Sequence, residues 1–137
     1  MDNAQKTIQS SLRLERLVFD KIEFKRLGFS SENELEFELE SNIAQHKEND
    51  IYRVTLLLKG KKPEEYIFEI SLMGFFVIED NETISEETRN KLISRNTVAI
   101  LMPYLRSEVS LLTAQPGIEC VVLPTFNINH MMDKQAE

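Results

Sequence analysis

Residues 94–128, SRNTVAILMPYLRSEVSLLTAQPGIECVVLPTFNI, decide the fold of this chain. Apolar residues recur there at steps of three and four, which is typical of one buried face of a helix. This apolar stripe consists of Val98, Leu101, Met102, Leu105, Val109 and Leu112. We expect Asn96 or Thr97 to cap the helix and Pro116 to follow its end. An interior proline costs about 3 kcal/mol, so Pro103 predicts either a bend or a helix that begins near Met102.

Before this helix, apolar and polar residues alternate with the period of a β-strand. The first such run has the apolar residues Leu35, Phe37 and Leu39 between the glutamates Glu34, Glu36, Glu38 and Glu40, and therefore one acidic face. Two more runs contain Tyr52, Val54, Leu56 and Leu58, and then Tyr66, Phe68, Ile70 and Leu72. Residues 60–63, which include a glycine and a proline, are predicted to form the hairpin turn between them.

The segment from Leu12 to Phe24 is apolar in pairs, at positions 12 and 14, 17 and 19, and 22 and 24. Each pair keeps the strand period, but successive pairs change face. Either a strand with bulges or a strand buried on both sides has this pattern. Four successive strands with short links favour an antiparallel sheet.

The period changes after residue 80. Thr83 and Glu86 have the spacing of a capping box, so we expect a short helix over residues 85–94 that is separate from the helix described above. A last short helix is expected to contain Met131 and Met132.

Length and composition limit the class of protein. A chain of 137 residues with a formal charge of −7 fits one domain, residues 1–137, that repels nucleic acid and anionic lipid. Its one cysteine forms no intrachain disulfide, and no run approaches the roughly 20 apolar residues that span a bilayer. We therefore expect a cytoplasmic protein without a leader or a membrane anchor.

The residue types that perform chemistry are scattered. The four glycines are too far apart for a phosphate-binding loop, and His46 and His130 have no ligand at metal-binding spacing. Cys120 lies among apolar residues and is interpreted as a packing residue. The sequence predicts no cofactor, no metal site and no enzymatic activity.

Apolar residues, in contrast, are present in surplus. Phe75 and Phe76 are adjacent on an extended segment, so their side chains point to opposite faces. Ile67 lies on the minor face of the same strand, and Tyr104 and Leu111 lie off the main helical stripe. Apolar area on both sides of the structure is typical of binding grooves and subunit contacts.

Three segments resemble the SecB family of protein-export chaperones. They are ISLMGFFVI at residues 70–78, NTVAILMPYLRSEVSLLTAQPGI at residues 96–118 and LPTFNI at residues 123–128. The resemblance implies an α+β fold, a four-stranded antiparallel sheet packed against a long C-terminal helix with short flanking helices. It also implies a homotetramer, a dimer of dimers, that holds unfolded preproteins or other non-native polypeptides without ATP and delivers them to SecA.

The same resemblance implies where partners bind. The client-binding groove would be lined by Leu72, Phe75, Phe76, Val77, Tyr104 and Leu111. The sheet face that meets SecA would carry Asp20, Glu23, Ile67 and Glu69.

Two departures from the family pattern concern SecA. Lys21 and Lys25 occupy positions of the first strand where acidic residues are expected, and the extended C-terminal tail of the family is nearly absent. The leading hypothesis is an ATP-independent holdase in protein export. The alternative is a dedicated binding partner of one protein, such as an antitoxin-specific chaperone or a regulator.

Overall fold

The computed structural model describes residues 12–46, 51–78 and 86–124, which form four strands and a helix. The strands are β1 (Leu12–Arg26), β2 (Glu36–Gln45), β3 (Ile51–Lys62) and β4 (Tyr66–Ile78), and the helix is α1 (Glu86–Thr113). They form one antiparallel sheet in the order β1-β4-β3-β2, so the link from β1 to β2 crosses one end of the sheet. The predicted α+β fold, with a four-stranded antiparallel sheet and a long C-terminal helix, is confirmed.

The core lies between α1 and one face of the sheet, here called the inner face. The alternation read from β3 and β4 is observed, because the even-numbered residues from 52 to 60 and from 66 to 78 are buried on this face. Their apolar side chains are those of Tyr52, Val54, Leu56, Leu58, Tyr66, Phe68, Ile70, Leu72, Phe76 and Ile78. The helix contributes Ile93, Val98, Leu101, Met102, Leu105 and Val109. At Gly74 a Cβ atom would lie 2.7 Å from the side chain of Leu101, so the missing side chain allows α1 to approach the sheet closely.

The paired apolar pattern of β1 results from two bulges. The register of β1 against β4 shifts between Leu14 and Arg16 and again between Phe19 and Lys21. Each shift inserts one residue, which returns the next apolar pair to the inner face. As a result Leu12, Leu14, Leu17, Phe19 and Phe24 all pack against the same core. Of the two interpretations of this segment, the bulged strand is correct.

The prediction of two separate helices before and after residue 95 is wrong. α1 runs without interruption from Glu86 to Thr113. Thr97 is buried, and its hydroxyl donates a hydrogen bond to the carbonyl of Ser94 at 3.1 Å, so it lies inside the helix and is not a cap. Burial of one continuous apolar helix face stabilises the structure more than a helix end capped at this position would.

The helix also does not begin near Met102. Pro103 lies in its interior, and both Pro103 and Ala99 are exposed. Proline removes the hydrogen bond to the carbonyl four residues earlier, which here is that of Ala99. Because this carbonyl is on the solvent side, water can replace the missing donor, and the helix continues.

The β3–β4 hairpin is observed, but its turn lies later than predicted. Pairing continues to Lys62 and Tyr66, and Glu64 has a φ of 69° in the turn. Gly60 is a strand residue, where a Cβ would overlap the ring of Phe68. Glycine is therefore required at position 60 by packing on the inner face, and the turn forms around Pro63 and Glu64. The predicted capping residue Thr83 and the short helix at Met131 and Met132 lie outside the described residues.

Candidate functional site

The residues of the predicted client groove do not share one surface. Leu72 and Phe76 are fully buried under α1 and belong to the core, so in this structure they cannot line an open groove. Phe75 and Val77 point to the opposite face of β4, here called the outer face, and are half-buried. The neighbouring phenylalanines therefore face opposite sides of the sheet, because consecutive strand residues alternate.

Tyr104 and Leu111 lie on the solvent side of α1, opposite the stripe that packs on the sheet. Their exposed fractions are 44% and 66%. Ile100, one turn before Tyr104, is partly buried and packs against the core cluster. Spacings of four and seven residues place the three side chains on one helix face. This outer stripe is separated from Phe75 and Val77 by the whole thickness of the sheet and helix.

The sheet face predicted to meet SecA is the outer face at the other end of β1 and β4. Glu23 is paired with Glu69 across the two strands, and Lys25 is paired with Ile67, which is exposed. Asp20 is the extra residue of the second bulge and is exposed. The four predicted residues are therefore brought to one region of the molecule by the β1–β4 pairing.

Lys21 interrupts the acidic character of this region. Its Nζ atom is 2.5 Å from Oε2 of Glu69 and 3.9 Å from Oε1 of Glu23. The hydrogen bond from Lys21 lowers the pKa of Glu69, and the same bond raises the pKa of Lys21. Near neutral pH both groups are charged, so the carboxylate of Glu69 is already neutralised by a residue of its own chain.

The loop that crosses from β1 to β2 carries apolar side chains that sequence reasoning missed. Phe29 is 88% exposed and Leu27 is 46% exposed. In the sequence they stand in a Gly- and Ser-containing stretch without periodicity, and so gave no strand or helix signal. A lone aromatic residue in a polar connection was the available signal, because loops are where binding residues concentrate.

Glu65, the residue before β4, holds this crossover loop in place. Its carbonyl accepts hydrogen bonds from the amides of Leu27 and Gly28 at 2.8 and 3.1 Å. Its buried carboxylate accepts one from the amide of Ser31 at 3.0 Å and lies 2.9 Å from Nζ of Lys62. The bond from Lys62 is the main cause that lowers the pKa of Glu65, and the bond from the amide of Ser31 lowers it further. The backbone on both sides of Phe29 is thus tied down while its ring remains in water.

Arg26 joins the same loop to the segment that follows α1. Its guanidinium donates to the carbonyl of Gly28 at 2.9 Å and to the carbonyl of Gly117 at 3.2 Å. Gly117 has a φ of 83°, a left-handed conformation that suits glycine. The crossover loop and the start of the tail after α1 therefore lie side by side.

Side chains of α1 fix this tail along the helix. The hydroxyl of Thr113 accepts a hydrogen bond from the amide of Val121 at 2.9 Å and donates to the carbonyl of Val109 at 2.8 Å. Ser110 donates to the carbonyl of Val121 at 3.1 Å. Leu123 is buried, whereas Val122 points outward and is 78% exposed. Val122 is a second exposed apolar residue that the sequence analysis did not select.

Neither a metal centre nor a membrane span is found in the described part of the chain. Across residues 12–46, 51–78 and 86–124, no three or more His, Cys, Asp or Glu side chains are grouped so that they could hold a metal ion. No helix in the same residues combines the length and the apolar composition needed to cross a bilayer. Cys120 is exposed and its Sγ is 3.5 Å from the carbonyl of Ser110, which corrects its interpretation as a buried packing residue.

Comparison with known proteins identifies the family. The family model described as preprotein translocase subunit SecB matches residues 12–137, which is nearly the whole chain. The chain belongs to the SecB family. A curated SecB relative, the protein-export protein SecB of Anaplasma phagocytophilum, is 28% identical over 89 residues, which cover 62% of this chain and 56% of the relative. The chain thus spans little more than half the length of that SecB protein.

Two further relatives extend the comparison of this SecB family member. An uncharacterized protein of Methanocaldococcus jannaschii is 27% identical over 119 residues, covering 82% of this chain and 70% of the relative. Among solved structures, a SecB-like chaperone of Mycobacterium tuberculosis in complex with a ChAD peptide from the HigA1 antitoxin aligns with a TM-score of 0.66. It has 13% sequence identity and covers 87% of this chain and 93% of its own. At this identity the alignment establishes the shared SecB-like fold.

Proposed function

We propose that this SecB family member is an ATP-independent holdase that binds unfolded or non-native polypeptides through exposed apolar side chains. The observation that carries the proposal is the exposure of Phe29 and Val122 on backbone that is held by specific hydrogen bonds. Burial of apolar area contributes about 25 cal/mol per Å² and has no directional requirement, so many client sequences can be held.

Two apolar surfaces are available for this role in the described residues. The first comprises the exposed apolar side chains of the crossover loop, Leu27 and Phe29, and of the tail, Val122; Arg26 bonds the loop to the start of this tail at Gly117. The second is the half-buried pair Phe75 and Val77 on the outer face, which retains part of the groove that the family resemblance implied. Leu72 and Phe76 contribute to client binding indirectly, because they support the strand that presents Phe75.

Self-association is part of the proposal. Tyr104 and Leu111, the exposed members of the outer stripe of α1, are residues of the kind found in subunit contacts. A homotetramer built as a dimer of dimers would cover this stripe and leave the crossover loop available. In that assembly Tyr104 and Leu111 belong to an interface instead of a client groove. A cytoplasmic location is proposed with it, since holding preproteins before export requires access to newly made chains.

A dedicated partner is the alternative function, and one observation favours it. Lys21 neutralises Glu69 on the face proposed to meet SecA, which weakens the case for delivery to the export motor. The SecB-like chaperone with the similar fold was solved with an antitoxin peptide, so a single-client role is compatible with this architecture. The same apolar surfaces would then bind one partner in place of many.

The test is suppression of aggregation by the full chain without nucleotide. Two unrelated denatured clients are diluted into buffer with and without the protein, and light scattering is followed. We expect suppression of both at stoichiometric amounts and a reduced effect for a Phe29→Ser, Val122→Ser variant. Ile22→Ser, which removes an exposed apolar side chain from β1, is the matched control and is expected to behave as the wild type.

The two functions give different results in this assay. Suppression of one client but not of unrelated ones would favour the dedicated partner. No effect on any client at stoichiometric excess, with circular dichroism showing a folded protein, would exclude the holdase. Light scattering of the protein alone tests the assembly, and a monomer at all concentrations would contradict the tetramer.

A further inference from the structure

The outer face of the sheet is divided by charge into two halves. At the end near the β3–β4 turn, lysines face glutamates across the strands, since Lys59 is paired with Glu69 and Glu38, and Lys61 is paired with Glu36. At the other end the cationic residues are arginines, and their cross-strand neighbours are apolar. We call this end the Phe75 patch; it comprises Arg13, Arg16, Val18, Ile51, Arg53, Met73, Phe75 and Val77. Of its three arginines, Arg13 forms an ion pair with Glu15 at 3.1 Å.

Phe75 is the centre of the patch, with an arginine on either side. It is paired with Arg16 on β1 and with Arg53 on β3. Directly opposed residues of antiparallel strands have Cβ atoms about 4.5–5.5 Å apart, so both arginine stems border the ring of Phe75. On its far side Arg53 is paired with Ala44, which adds no carboxylate.

Neither arginine is neutralised within the described part of the chain. Arg16 and Arg53 are both exposed, and neither forms a hydrogen bond or an ion pair with residues 12–46, 51–78 or 86–124. This contrasts with Lys21 at the other end, which is bonded to Glu69. Two unpaired guanidinium groups beside half-buried apolar side chains are notable in a chain of net charge −7.

A cavity beside Phe75 provides room for an apolar side chain of a partner. It has a volume of about 240 Å³ and is lined by Ala44, Gln45, His46, Ile51, Arg53 and Phe75. A site with an apolar depression bordered by guanidinium groups matches a ligand that has both an apolar group and carboxylates. Arginine binds carboxylates through two parallel hydrogen bonds, which gives it more geometric specificity than lysine.

We propose that the Phe75 patch is a docking surface for an acidic, apolar peptide segment of a partner protein. An apolar side chain of the segment enters the cavity next to Phe75, and flanking Asp or Glu residues pair with Arg16 and Arg53. Charge complementarity selects this occupant, because basic client segments are repelled by the two arginines. The inference goes beyond client holding, because it gives the Phe75 patch an acidic and selective occupant. Capture of unfolded chains is proposed to depend mainly on the crossover loop and the tail, with Phe75 and Val77 as a secondary surface.

The experiment measures peptide binding to the full chain by fluorescence anisotropy. The probes are a labelled peptide that alternates Glu with Phe and Leu, the same peptide with Lys in place of Glu, and a peptide with Ser in place of Phe and Leu. We expect the first to bind and the other two to bind about tenfold more weakly or not at all. Because the arginines are exposed, the affinity should fall as salt is raised.

Variants locate the binding. The double variant Arg16→Gln, Arg53→Gln is expected to lower the affinity for the acidic peptide by about tenfold. This corresponds to the loss of one or two charge-assisted contacts. Lys59→Gln with Lys61→Gln removes the same charge from the same face and is expected to leave binding unchanged. Circular dichroism of both double variants establishes that they are folded. Substitution of both arginines by lysine should restore part of the affinity.

Three outcomes would overturn the proposal: equal binding of the Lys peptide, equal weakening by the lysine control variant, or tighter binding of a single-stranded oligonucleotide at the two arginines. Aggregation suppression is measured on the same variants. Loss of peptide binding with unchanged suppression would support a docking surface separate from client holding. Unchanged peptide binding in the arginine variant would contradict this inference without affecting the holdase proposal.

Discussion

Lys21 and Glu69 form an ion pair across β1 and β4, with Nζ of Lys21 2.5 Å from Oε2 of Glu69. The pair lies on the face where the SecB resemblance implies contact with SecA. A partly exposed ion pair is screened by solvent and contributes little to stability, so its main effect is on the charge presented to a partner. Lys21 is therefore expected to affect the choice of partner more than it affects folding.

Replacing Lys21 by Glu should strengthen binding to SecA. The change releases the carboxylate of Glu69 and adds another negative charge beside Glu23. Affinity for purified SecA can be measured by surface plasmon resonance, with Lys91→Glu, an equal charge change at an exposed position of α1, as the control. If both variants bind SecA no better than the wild type, the charge of Lys21 is not what limits docking.

The stabilising effect of Glu65 should depend on pH. Its pKa is lowered in the folded protein, first by the hydrogen bond from Lys62, so folding favours the carboxylate over the acid. This contribution is complete above the ordinary value of 4.5 and is lost as pH falls through the lower pKa of the folded state.

Denaturation with urea at a series of pH values tests this dependence. The difference in the free energy of unfolding between the wild type and Glu65→Gln should be constant near neutral pH and shrink below pH 4.5. Glu64→Gln, which changes an exposed neighbour, is expected to show a smaller difference that varies less. A Glu65 difference that does not change with pH would contradict the assignment.

Phe75 and Phe76 should differ sharply in their effect on stability. Phe76→Ala removes a fully buried ring from the core and is expected to cost about 3–5 kcal/mol of unfolding free energy. Phe75→Ala should cost well under that, because its side chain keeps contact with water on the outer face. Equal losses in urea denaturation would mean that the outer face is covered in solution, and comparison at low and high protein concentration would identify self-association as the cause.

Thr113→Val should loosen the tail after α1. The substitution conserves shape but removes the hydroxyl that accepts from the amide of Val121, leaving that donor without its partner at a cost of about 1–3 kcal/mol. Hydrogen exchange at Val121 and Leu123 is expected to accelerate, with Thr55→Val, at a partly exposed position of β3, as the control. Unchanged exchange would show that Ser110 and Arg106 are sufficient to hold the tail.

Several elements could be predicted from local patterns because one side of each is buried. The alternation in β3 and β4 indicated which residues face α1, and the stripe from Val98 to Val109 indicated the buried side of the helix. The end of the first helix was predicted wrongly because Asn96 and Thr97 are good caps in isolation. Burial of Thr97 in a continuous helix outweighed that local preference.

The candidate site was predicted less well than the fold. Phe29 and Val122 are exposed because of where their segments are anchored. The loop with Phe29 is held by Glu65 and the tail with Val122 by Thr113, and no periodic pattern in the sequence links either residue to its anchor. Leu72 and Phe76 were assigned to a groove by resemblance, yet they are core residues in this structure. Surface and core can exchange with a shift of one residue along a strand, so an approximate alignment is insufficient for such assignments.

The amino-acid sequence by itself determined the family, the number of strands, the long helix and the inner face of β3 and β4, because these follow from periodicity within one element. The tertiary structure alone decided that two bulges keep the apolar residues of β1 on the inner face and that Lys21 neutralises Glu69. It also decided that Phe75 is flanked by Arg16 and Arg53, which have no ion-pair partner among the described residues. Each of these depends on register between strands that are distant in sequence. Register is set by packing of the whole sheet, which no single segment encodes.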